Sequence, residues 1–431
     1  MLSYIAIRGL YDMYDYEVSF SKEEKLKIIT GPNGYGKTTI LRIIKNLIDC
    51  KFWWFYFLMF REIIVSFSDG TYIEIARESS QKLKNGESDL LGSDKNIKVT
   101  FNYSIPEKET EPFVLGKNTI IRLIRIASRR YYRVSEELEE NIDYEEVLSN
   151  YRFDDIEEAL RDISSELYNY LKSQKCVLIS EQRAKYSHIH RRGPETFEQI
   201  SYAIETIKKE LSDIILQTQA KFAKESQDVD ASFVKQLFAV KKGYSEDEYN
   251  KKADILKVLI ENIQSYGLAK DLNINYTYKE KYNEALKVYI DGMIKKMNVY
   301  FTLFRQLSLF DSLVNHKGLS NKKMVLGGKE ILTIKDKTGK IVPLRKLSSG
   351  EQNLIILYYD LIFKANEGDI LLIDEPENSM HNAWLIDMLD DYENMADLND
   401  IQIIFSTHSA VFINGNYDIT YDLYKDGKSA T

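Results

Sequence analysis

The chain has 431 residues, of which 44% are hydrophobic, which is enough for a sizeable core in one elaborated domain or in two to three ordinary ones. Its formal net charge of -8 at pH 7 argues against a protein coated with positive charge for nucleic acid, although a local basic strip is compatible with it. Two cysteines, Cys50 and Cys176, form no disulfide framework and no metal-ligand spacing, so we expect buried thiols in a reducing compartment.

No apolar run approaches the roughly 20 residues that a membrane-spanning helix needs, and the opening MLSYIAIRGL lacks the features of a signal peptide. The sequence therefore predicts a cytoplasmic protein without membrane contact. The segment KFWWFYFLMF at 51–60 raises the question again, but its apolar part is about half a span, and Arg61 and Glu62 follow directly. We expect this segment in the core or in an interface patch.

Three short runs with strand character open the chain, YIAIRGL, EVSF and LKIIT. The last run leads directly into the glycine-rich loop GPNGYGKTT at 31–39, which is followed by the apolar helical pattern ILRIIKNLI. Strand, glycine-rich loop and helix together predict a phosphate-binding loop, the Walker A motif of a nucleoside triphosphate site. Its candidate nucleotide-binding residues are Gly31, Pro32, Asn33, Gly34, Tyr35, Gly36, Lys37, Thr38 and Thr39.

The residue types in this loop suggest separate roles. The three glycines let the backbone form a concave nest of N–H groups, and the following helix adds its positive N-terminal end. Lys37 is expected to reach the β- and γ-phosphates, and the Thr38 hydroxyl is expected to ligate Mg²⁺. Thr39 is either a second phosphate contact or simply part of the first helical turn.

Two basic stretches follow in the middle of the chain. RLIRIASRRYYRV at 122–134 carries five arginines and precedes the acidic run EELEENIDYEE. We interpret it as a solvated helix face paired with that run, and a contact with nucleic acid or a partner is the alternative. HIHRR at 188–192 is interpreted as a surface contact or a contact at the base of a helical arm, with a metal or nuclease role as the less favoured alternative.

Two stripes of apolar residues predict two amphipathic helices. In TFEQISYAIETIKKELSDIILQT, apolar or aromatic residues recur in alternating steps of three and four from 197 to 214, and a second stripe runs from Tyr282 to Leu307. At 1.5 Å per residue, the stripe from Tyr282 to Leu307 corresponds to a helix near 40 Å long. The sequence therefore predicts a compact helical insertion and no long coiled coil.

The last hundred residues contain three further motifs. LSSGEQN at 347–353 precedes the helical run LIILYYDLIF, so that Ser348, Ser349, Gly350 and Glu351 lie at a helix start, which is an anion-binding position. ILLIDEPE at 370–377 predicts a buried parallel strand that ends in two acidic residues. IQIIF, at 401–405, predicts another strand, which is followed by STHS.

These acidic residues and the histidine are candidates for hydrolysis. Asp374 is expected to hold Mg²⁺, either through water or together with Thr38, and Glu375 to act as the general base on the attacking water. His408, in STHS, is expected to contact the γ-phosphate. Between them lies ENSMHNAW at 377–384, which reads as a loop entering a helix.

GPNGYGKT, LSSGEQN, LLIDEPE and STHS, in this order, resemble the motifs of the ABC-type ATPase superfamily. This resemblance implies an α/β fold, specifically a P-loop NTPase head, with ATP and Mg²⁺ as its ligands. It also implies a homodimer or higher homo-oligomer, in which the signature helix of one copy caps the nucleotide held by the other. KCVLISEQR at 175–183 is similar to the Q-loop strand of the same fold, which implies that Gln182 contacts Mg²⁺ and the attacking water.

The long separation between Walker A and the signature resembles the Rad50/RecF/OLD-like branch, whose head is split by an inserted arm. The resemblance implies four segments: an N-terminal lobe at 1–110, a helical segment with the Q-loop strand at 111–185, a helical insertion at 186–318, and a C-terminal lobe at 319–431. OLD-type nucleases carry a Toprim domain after the ATPase, but only about two dozen residues follow His408, too few for such a domain.

The layout as a whole is similar to the ATPase subunits of bacterial antiphage defence systems of the PARIS or Septu type. The resemblance implies an ATP-dependent switch that controls a separately encoded effector, such as a nuclease, and that responds to a phage-protein trigger. The alternative is a RecF/Rad50-like ATPase that binds DNA directly in repair or maintenance. The negative net charge favours the switch, and a transporter ATPase fits poorly because its signature follows the P-loop far sooner.

Overall fold

The structure is a computed structural model, and it describes residues 1–21, 24–78, 97–128, 164–179, 185–189, 198–269, 272–274, 276–319, 321–327, 331–377 and 385–429. Its strands are β1 (Leu2–Leu10), β2 (Tyr14–Ser19), β3 (Leu26–Thr30), β4 (Glu62–Phe67), β5 (Tyr72–Glu78), β6 (Lys98–Ser104), β7 (Phe113–Gly116), β8 (Cys176–Ile179), β9 (Lys185–Ile189), β10 (Glu198–Tyr202), β11 (Lys322–Leu326), β12 (Leu332–Asp336), β13 (Ile341–Val342), β14 (Ile370–Asp374), β15 (Gln402–Thr407), β16 (Thr420–Asp422) and β17 (Lys428–Ser429).

Helices of regular α geometry occur in both halves of the described chain. They are α1 (Lys37–Ile48), α2 (Trp54–Phe57), α3 (Lys117–Ser128), α4 (Ser165–Ser173), α5 (Ala203–Ala239), α6 (Glu246–Ser265), α7 (Asn283–Leu313), α8 (Ser349–Tyr359), α9 (Met388–Asn399) and α10 (Ala410–Ile413). Short 3₁₀ turns lie at Glu280–Tyr282 and Leu344–Lys346, and π-helical turns extend α7 through Val314–Gly318 and α8 through Asp360–Lys364.

The chain packs as two compact units. Unit 1 comprises Met1–Glu181, Asn366–Asn378 and Leu385–Thr431, and unit 2 comprises Gln182–Ala365 and Ser379–Trp384. The α/β fold class is confirmed, and residues 182–365, which contain the long helices, divide the sequence of unit 1 into two parts. The division into four segments at 1–110, 111–185, 186–318 and 319–431 stays a prediction, because the two units are defined by packing and not by function.

Unit 1 contains a parallel five-stranded sheet in the order β16-β3-β15-β14-β8. Strands β14 and β15 are almost entirely buried, which explains their continuous apolar runs. In register, Asp374 pairs with Ser406 and Thr407 pairs with Thr30. The carboxyl ends of β3, β14 and β15 therefore meet at one edge of the sheet, and the motifs that follow these strands start there.

An antiparallel seven-stranded sheet, in the order β17-β2-β1-β4-β5-β6-β7, completes unit 1. The aromatic segment at 51–60 packs in the core of this unit, with Phe52 and Phe55 fully buried, so the expectation of a core segment is confirmed. Gln402 lies at the start of β15, and its side chain accepts a hydrogen bond from the Leu2 N–H at 2.8 Å and donates one to the Leu2 carbonyl at 2.9 Å. This buried amide connects the two sheets of unit 1.

Unit 2 is built on three long helices and a small antiparallel sheet in the order β11-β12-β13. Helix α7 packs against both α5 and α6, and the predicted stripe coincides with its buried face at Leu286, Met293, Met297, Tyr300 and Leu307. Tyr282, the first residue of that stripe, precedes α7 and is exposed. The start of the other predicted helix is wrong, because residues 198–202 form β10, which pairs with β9. At 37 residues, α5 is also longer than the pattern predicted, about 55 Å at 1.5 Å per residue.

Cys50 and Cys176 are both buried thiols outside any disulfide, as expected from their spacing. Burial raises the pKa of the Cys176 thiol to about 12, so this side chain is inert as a nucleophile near neutral pH. Among the described residues, none of the helices combines the length and the apolar character needed to cross a membrane.

Candidate functional site

The predicted phosphate-binding loop joins β3 to α1 at the carboxyl edge of the parallel sheet. Gly34 and Gly36 both have positive φ, 88° and 86°, a conformation that residues with a Cβ rarely adopt. At Gly36 a Cβ would also lie 2.9 Å from the Leu10 side chain. The loop therefore requires glycine at this position for two separate reasons, and α1 begins at the next residue.

Lys37, the first residue of α1, is 6% exposed. Its ammonium donates to the carbonyl of Gly31 at 2.9 Å and lies 3.4 Å from the carbonyl of Pro32 and 3.5 Å from Oδ1 of Asn33. The charge is therefore held over the loop itself. A phosphate oxygen that entered the loop would find a cation and the N-terminal end of α1 on the same side.

Asp374 and Thr38 meet at the tip of β14. The Thr38 hydroxyl lies 3.1 Å from each carboxylate oxygen of Asp374, and the Ser406 hydroxyl donates to Oδ1 of the same carboxylate. Because Asp374 and Ser406 are paired in the sheet, the strand register itself sets this second contact. A hydroxyl and a carboxylate are both hard oxygen ligands of the kind that Mg²⁺ prefers.

Glu375 follows the strand in the left-handed conformation, with a φ of 48°. Its N–H donates to the Ser406 carbonyl at 2.9 Å, which continues the pairing with β15 for one more residue. A non-glycine residue in this region costs on the order of 1 kcal/mol or more, so the sheet must hold the backbone in place. The strained turn brings Glu375 to the same edge as the phosphate-binding loop.

Three ionisable side chains cluster beyond this turn. Nδ1 of His408 lies 2.8 Å from Oε2 of Glu375 and 3.8 Å from Oε1 of Glu377. Glu377 also accepts a hydrogen bond from the Thr407 hydroxyl. The potential ligand atoms of the three residues lie within 4.8 Å of one another. The cluster combines two carboxyl groups with one imidazole that is 62% exposed.

The surroundings raise the pKa of Glu375 above its ordinary value. Burial is the main cause, and the neighbouring Glu377 carboxyl adds to the rise through a hydrogen bond and through its charge. The His408 imidazole opposes the rise. A glutamate with a raised pKa is a stronger proton acceptor once it is ionised, which suits a general base.

A cavity of about 490 Å³ opens beside these groups. It is lined by Tyr11, Asn33, Gly34, Gly36, Lys37, Thr38, Thr39 and Glu375. Tyr11 was not predicted from the sequence. Its hydroxyl lies 2.8 Å from that of Thr39, and the turn that carries it has positive φ at both Tyr11 and Asp12. That turn lacks the Asn-Gly or Asp-Gly signature by which hairpins are recognised.

Tyr35 was predicted as one of the nucleotide-binding residues of the loop, but its ring packs against other tyrosines. Its ring lies 5.1 Å from that of Tyr14 and 5.9 Å from that of Tyr424, and its carbonyl accepts a hydrogen bond from the Tyr16 hydroxyl at 2.8 Å. The Tyr35 side chain therefore anchors the loop to β2 and to the segment that follows β16.

The signature residues lie in unit 2, where Ser348 precedes α8. Ser348 and Ser349 are exposed, whereas Gly350 and Glu351 are buried. Ser348 and Glu351 form a reciprocal capping box: the Ser348 N–H donates to Glu351 Oε2 at 2.8 Å, and the Glu351 N–H donates to Ser348 Oγ at 3.3 Å. The helix start is thus rigid and presents two serines on its surface.

Some sequence predictions fall outside the described residues. Gln182 lies outside them, so its proposed contact with Mg²⁺ stays a prediction. The helix expected within 377–384 also stays a prediction, because residues 378–384 lie outside the described residues. The arginines Arg129, Arg130 and Arg133 also lie outside the described residues. Of HIHRR, residues 190–192 are outside as well, while His188 belongs to β9.

Comparison with known proteins gives the following matches. A family model described as an AAA ATPase domain matches residues 1–413. No curated protein is significantly similar in sequence. Among solved structures, the chain is similar to the Smc head domain of Pyrococcus furiosus with an extended coiled coil, bound to the C-terminal domain of ScpA, at 15% identity and a TM-score of 0.35, with 96% of this chain and 90% of that chain covered. It is also similar to the SMC head domain from Thermotoga maritima at 10% identity and a TM-score of 0.32, with 98% and 94% covered.

Proposed function

Because the chain belongs to the AAA ATPase domain family, we propose that it is a Mg²⁺-dependent ATPase that works as a molecular switch between two copies of itself. In this proposal, ATP binding closes two copies around two nucleotides, and hydrolysis releases them. The observation that carries the proposal is the meeting of Thr38 and Asp374 at one sheet edge, next to Lys37 and the cavity.

The donor set at this edge fits Mg²⁺. Thr38 offers a hydroxyl oxygen and Asp374 a carboxylate, and both lie beside the loop that would hold the phosphates. Thr38 and Asp374 would therefore hold the ion, with Gln182 as a further proposed ligand. Bound there, the ion would neutralise charge on the β- and γ-phosphates. The Lys37 ammonium, now on the loop carbonyls, would turn to those phosphates.

Glu375 is the general base in this proposal. Its carboxylate lies at the edge of the cavity, where it would accept the proton of the water that attacks the γ-phosphate. His408, which contacts the same carboxylate, would orient it and contact the γ-phosphate. The raised pKa of Glu375 supports this role, because the proton that it accepts is then held more firmly.

In this proposal, the second copy supplies a further contact to the nucleotide, in addition to those of the phosphate-binding loop. Ser348 and Ser349 are exposed at the start of α8, where the first N–H groups of a helix have no carbonyl partner within it. We assign this helix start, with Ser348, Ser349, Gly350 and Glu351, to the γ-phosphate of the nucleotide held by the other copy. Each nucleotide would then bond to both chains, so the assembly would depend on ATP.

The switch is proposed to control a separate effector protein, as in antiphage defence, with the helices of unit 2 as the element that transmits the change. The net charge of -8 supports an effector over direct DNA binding. Affinity capture from native cells tests this choice. An effector should be captured with the chain, whereas a DNA-binding repair protein should instead bind duplex DNA with a steep dependence on salt.

The variant Glu375→Gln tests the hydrolytic proposal. It keeps the shape of the side chain but cannot accept a proton, so ATP should remain unhydrolysed and the ATP-bound assembly should accumulate. Steady-state hydrolysis and light scattering on the size-exclusion column measure the two effects. Glu166→Gln, on the exposed side of α4, is the control and should behave as the wild type. If Glu375→Gln hydrolyses ATP at the wild-type rate, the assigned base is wrong.

A further inference from the structure

A partly buried ion pair supports the start of α8. Glu351 is 3% exposed, and its Oε1 lies 2.8 Å from the ammonium of Lys322, the first residue of β11. The other carboxylate oxygen accepts hydrogen bonds from the Ser348 N–H at 2.8 Å and from the Ser348 hydroxyl at 3.0 Å. One carboxylate therefore joins a cation on a neighbouring strand to the exposed serine at the helix start.

The position of Lys322 is fixed by the end of the long helix α7. Asn315, in the π-helical turn that extends α7, accepts a hydrogen bond from the Met324 N–H at 2.7 Å and donates one to the Met324 carbonyl at 3.0 Å. Its amide also donates to Asp311 at 2.7 Å. Strand β11 is thereby fastened to α7 two residues beyond Lys322, so the ammonium is held against Glu351 by a rigid support.

The charge of Glu351 conflicts with the role proposed for its helix. A helix start attracts anions, but a carboxylate three residues into the helix repels a triphosphate that approaches it. Glu351 is nevertheless part of the capping box, in which its carboxylate holds Ser348 in place. The conflict is resolved if the charge of Glu351 is neutralised while its hydrogen bonds are kept. Among the described residues, Lys322 is the cation that the structure pairs with Glu351.

We propose that Lys322 is a positioning residue of the signature motif: it cancels the charge of Glu351 and so lets the helix start receive the triphosphate held by a second copy. This inference rests on the proposed ATP-dependent association of two copies. Both residues belong to unit 2, whereas the predicted nucleotide loop belongs to unit 1. The pair should therefore affect assembly and turnover, and not the binding of ATP to a single chain.

The test is a cycle of variants in the Glu375→Gln background, with ATP-dependent assembly followed by light scattering and ATP affinity of the dilute chain measured separately. Lys322→Met leaves Glu351 charged and should raise the protein concentration needed for half-assembly at least ~10-fold. Lys322→Arg keeps the charge and should restore assembly to within a few-fold. ATP affinity of the dilute chain should be unchanged in both variants.

The double variant Lys322→Met, Glu351→Gln separates charge from structure. Glutamine supports a capping box as glutamate does, so the double variant keeps the cap and removes both charges. It should assemble better than Lys322→Met alone. Lys337→Met, on the exposed turn between β12 and β13, is the matched control and should assemble normally.

The outcomes separate the two proposals. If the Glu375→Gln chain itself does not assemble with ATP, the proposed function fails. If it assembles and Lys322→Met assembles equally well, only the role of Lys322 is wrong. A double variant that is as defective as Lys322→Met, with the same circular dichroism and melting temperature as its parent, would also overturn the inference, because charge neutralisation would then not be the cause.

Discussion

Nδ1 of His408 lies 2.8 Å from Oε2 of Glu375, although 33 residues separate them in sequence. Adjacent parallel strands, β14 and β15, end at the same edge and bring the two together. Glu377 belongs to the same cluster, with its Oε1 3.8 Å from the same nitrogen. The protonation of Glu375 therefore depends on two neighbours with opposite effects on its pKa.

The pH dependence of hydrolysis should reflect this arrangement. Glu375 must be ionised to accept a proton, and its pKa is raised, so activity should fall on acidification at a higher pH than for an ordinary glutamate. Glu377→Gln removes one cause of the rise and should lower the pKa of Glu375, so the acid limb of the kcat/KM profile should move to lower pH. Glu166→Gln should leave the limb in place. An acid limb that moves to higher pH in Glu377→Gln would contradict the assigned interaction.

Lys37→Ala should weaken ATP binding strongly. The change removes a charged donor from the phosphate-binding loop, and charge-assisted hydrogen bonds contribute about 1.5–3 kcal/mol each, which corresponds to a loss of ~10-fold or more in affinity. Titration with a fluorescent ATP analogue measures this loss. Lys108→Ala, an exposed lysine of unit 1, is the control. An unchanged affinity in Lys37→Ala would show that the nucleotide binds elsewhere.

Gln402→Leu should destabilise unit 1. The amide of Gln402 satisfies both the N–H and the carbonyl of Leu2, and leucine would leave two buried backbone groups without partners, at a cost of about 2–4 kcal/mol in the free energy of unfolding. Urea denaturation followed by the fluorescence of Trp53 and Trp54, which are buried in the same core, measures the effect. Gln217→Leu, on an exposed face of α5, should change the free energy of unfolding by less than about 0.5 kcal/mol.

Local sequence patterns predicted the parts of the site that lie next to a strand or helix. The runs before the phosphate-binding loop, before Asp374 and before His408 are strands, because continuous apolar residues suit a parallel sheet that is buried on both faces. The α/β class was implied by the resemblance of the four motifs to the ABC-type ATPase superfamily. The roles assigned to these side chains stay predictions.

Contacts between distant segments could not be predicted in this way. Lys322 is one lysine among many in the sequence, and only the packing of β11 beside α8 brings it to Glu351. Tyr11 was missed because its turn uses two non-glycine residues with positive φ. The helix expected from 197 begins at Ala203, because residues 198–202 pair with β9, and this tertiary pairing overrides an amphipathic pattern.

Mixing two inactive variants tests most directly whether each nucleotide is shared between two chains. Lys37→Ala lacks a working phosphate-binding loop, and Ser349→Arg blocks the helix start that serves the other copy. In a mixed assembly, the intact loop of the Ser349→Arg chain faces the intact helix start of the Lys37→Ala chain, so one of the two sites is complete. We predict that an equimolar mixture recovers a substantial part of the wild-type rate of ATP hydrolysis. A mixture that is no more active than the two variants measured separately would contradict the shared site.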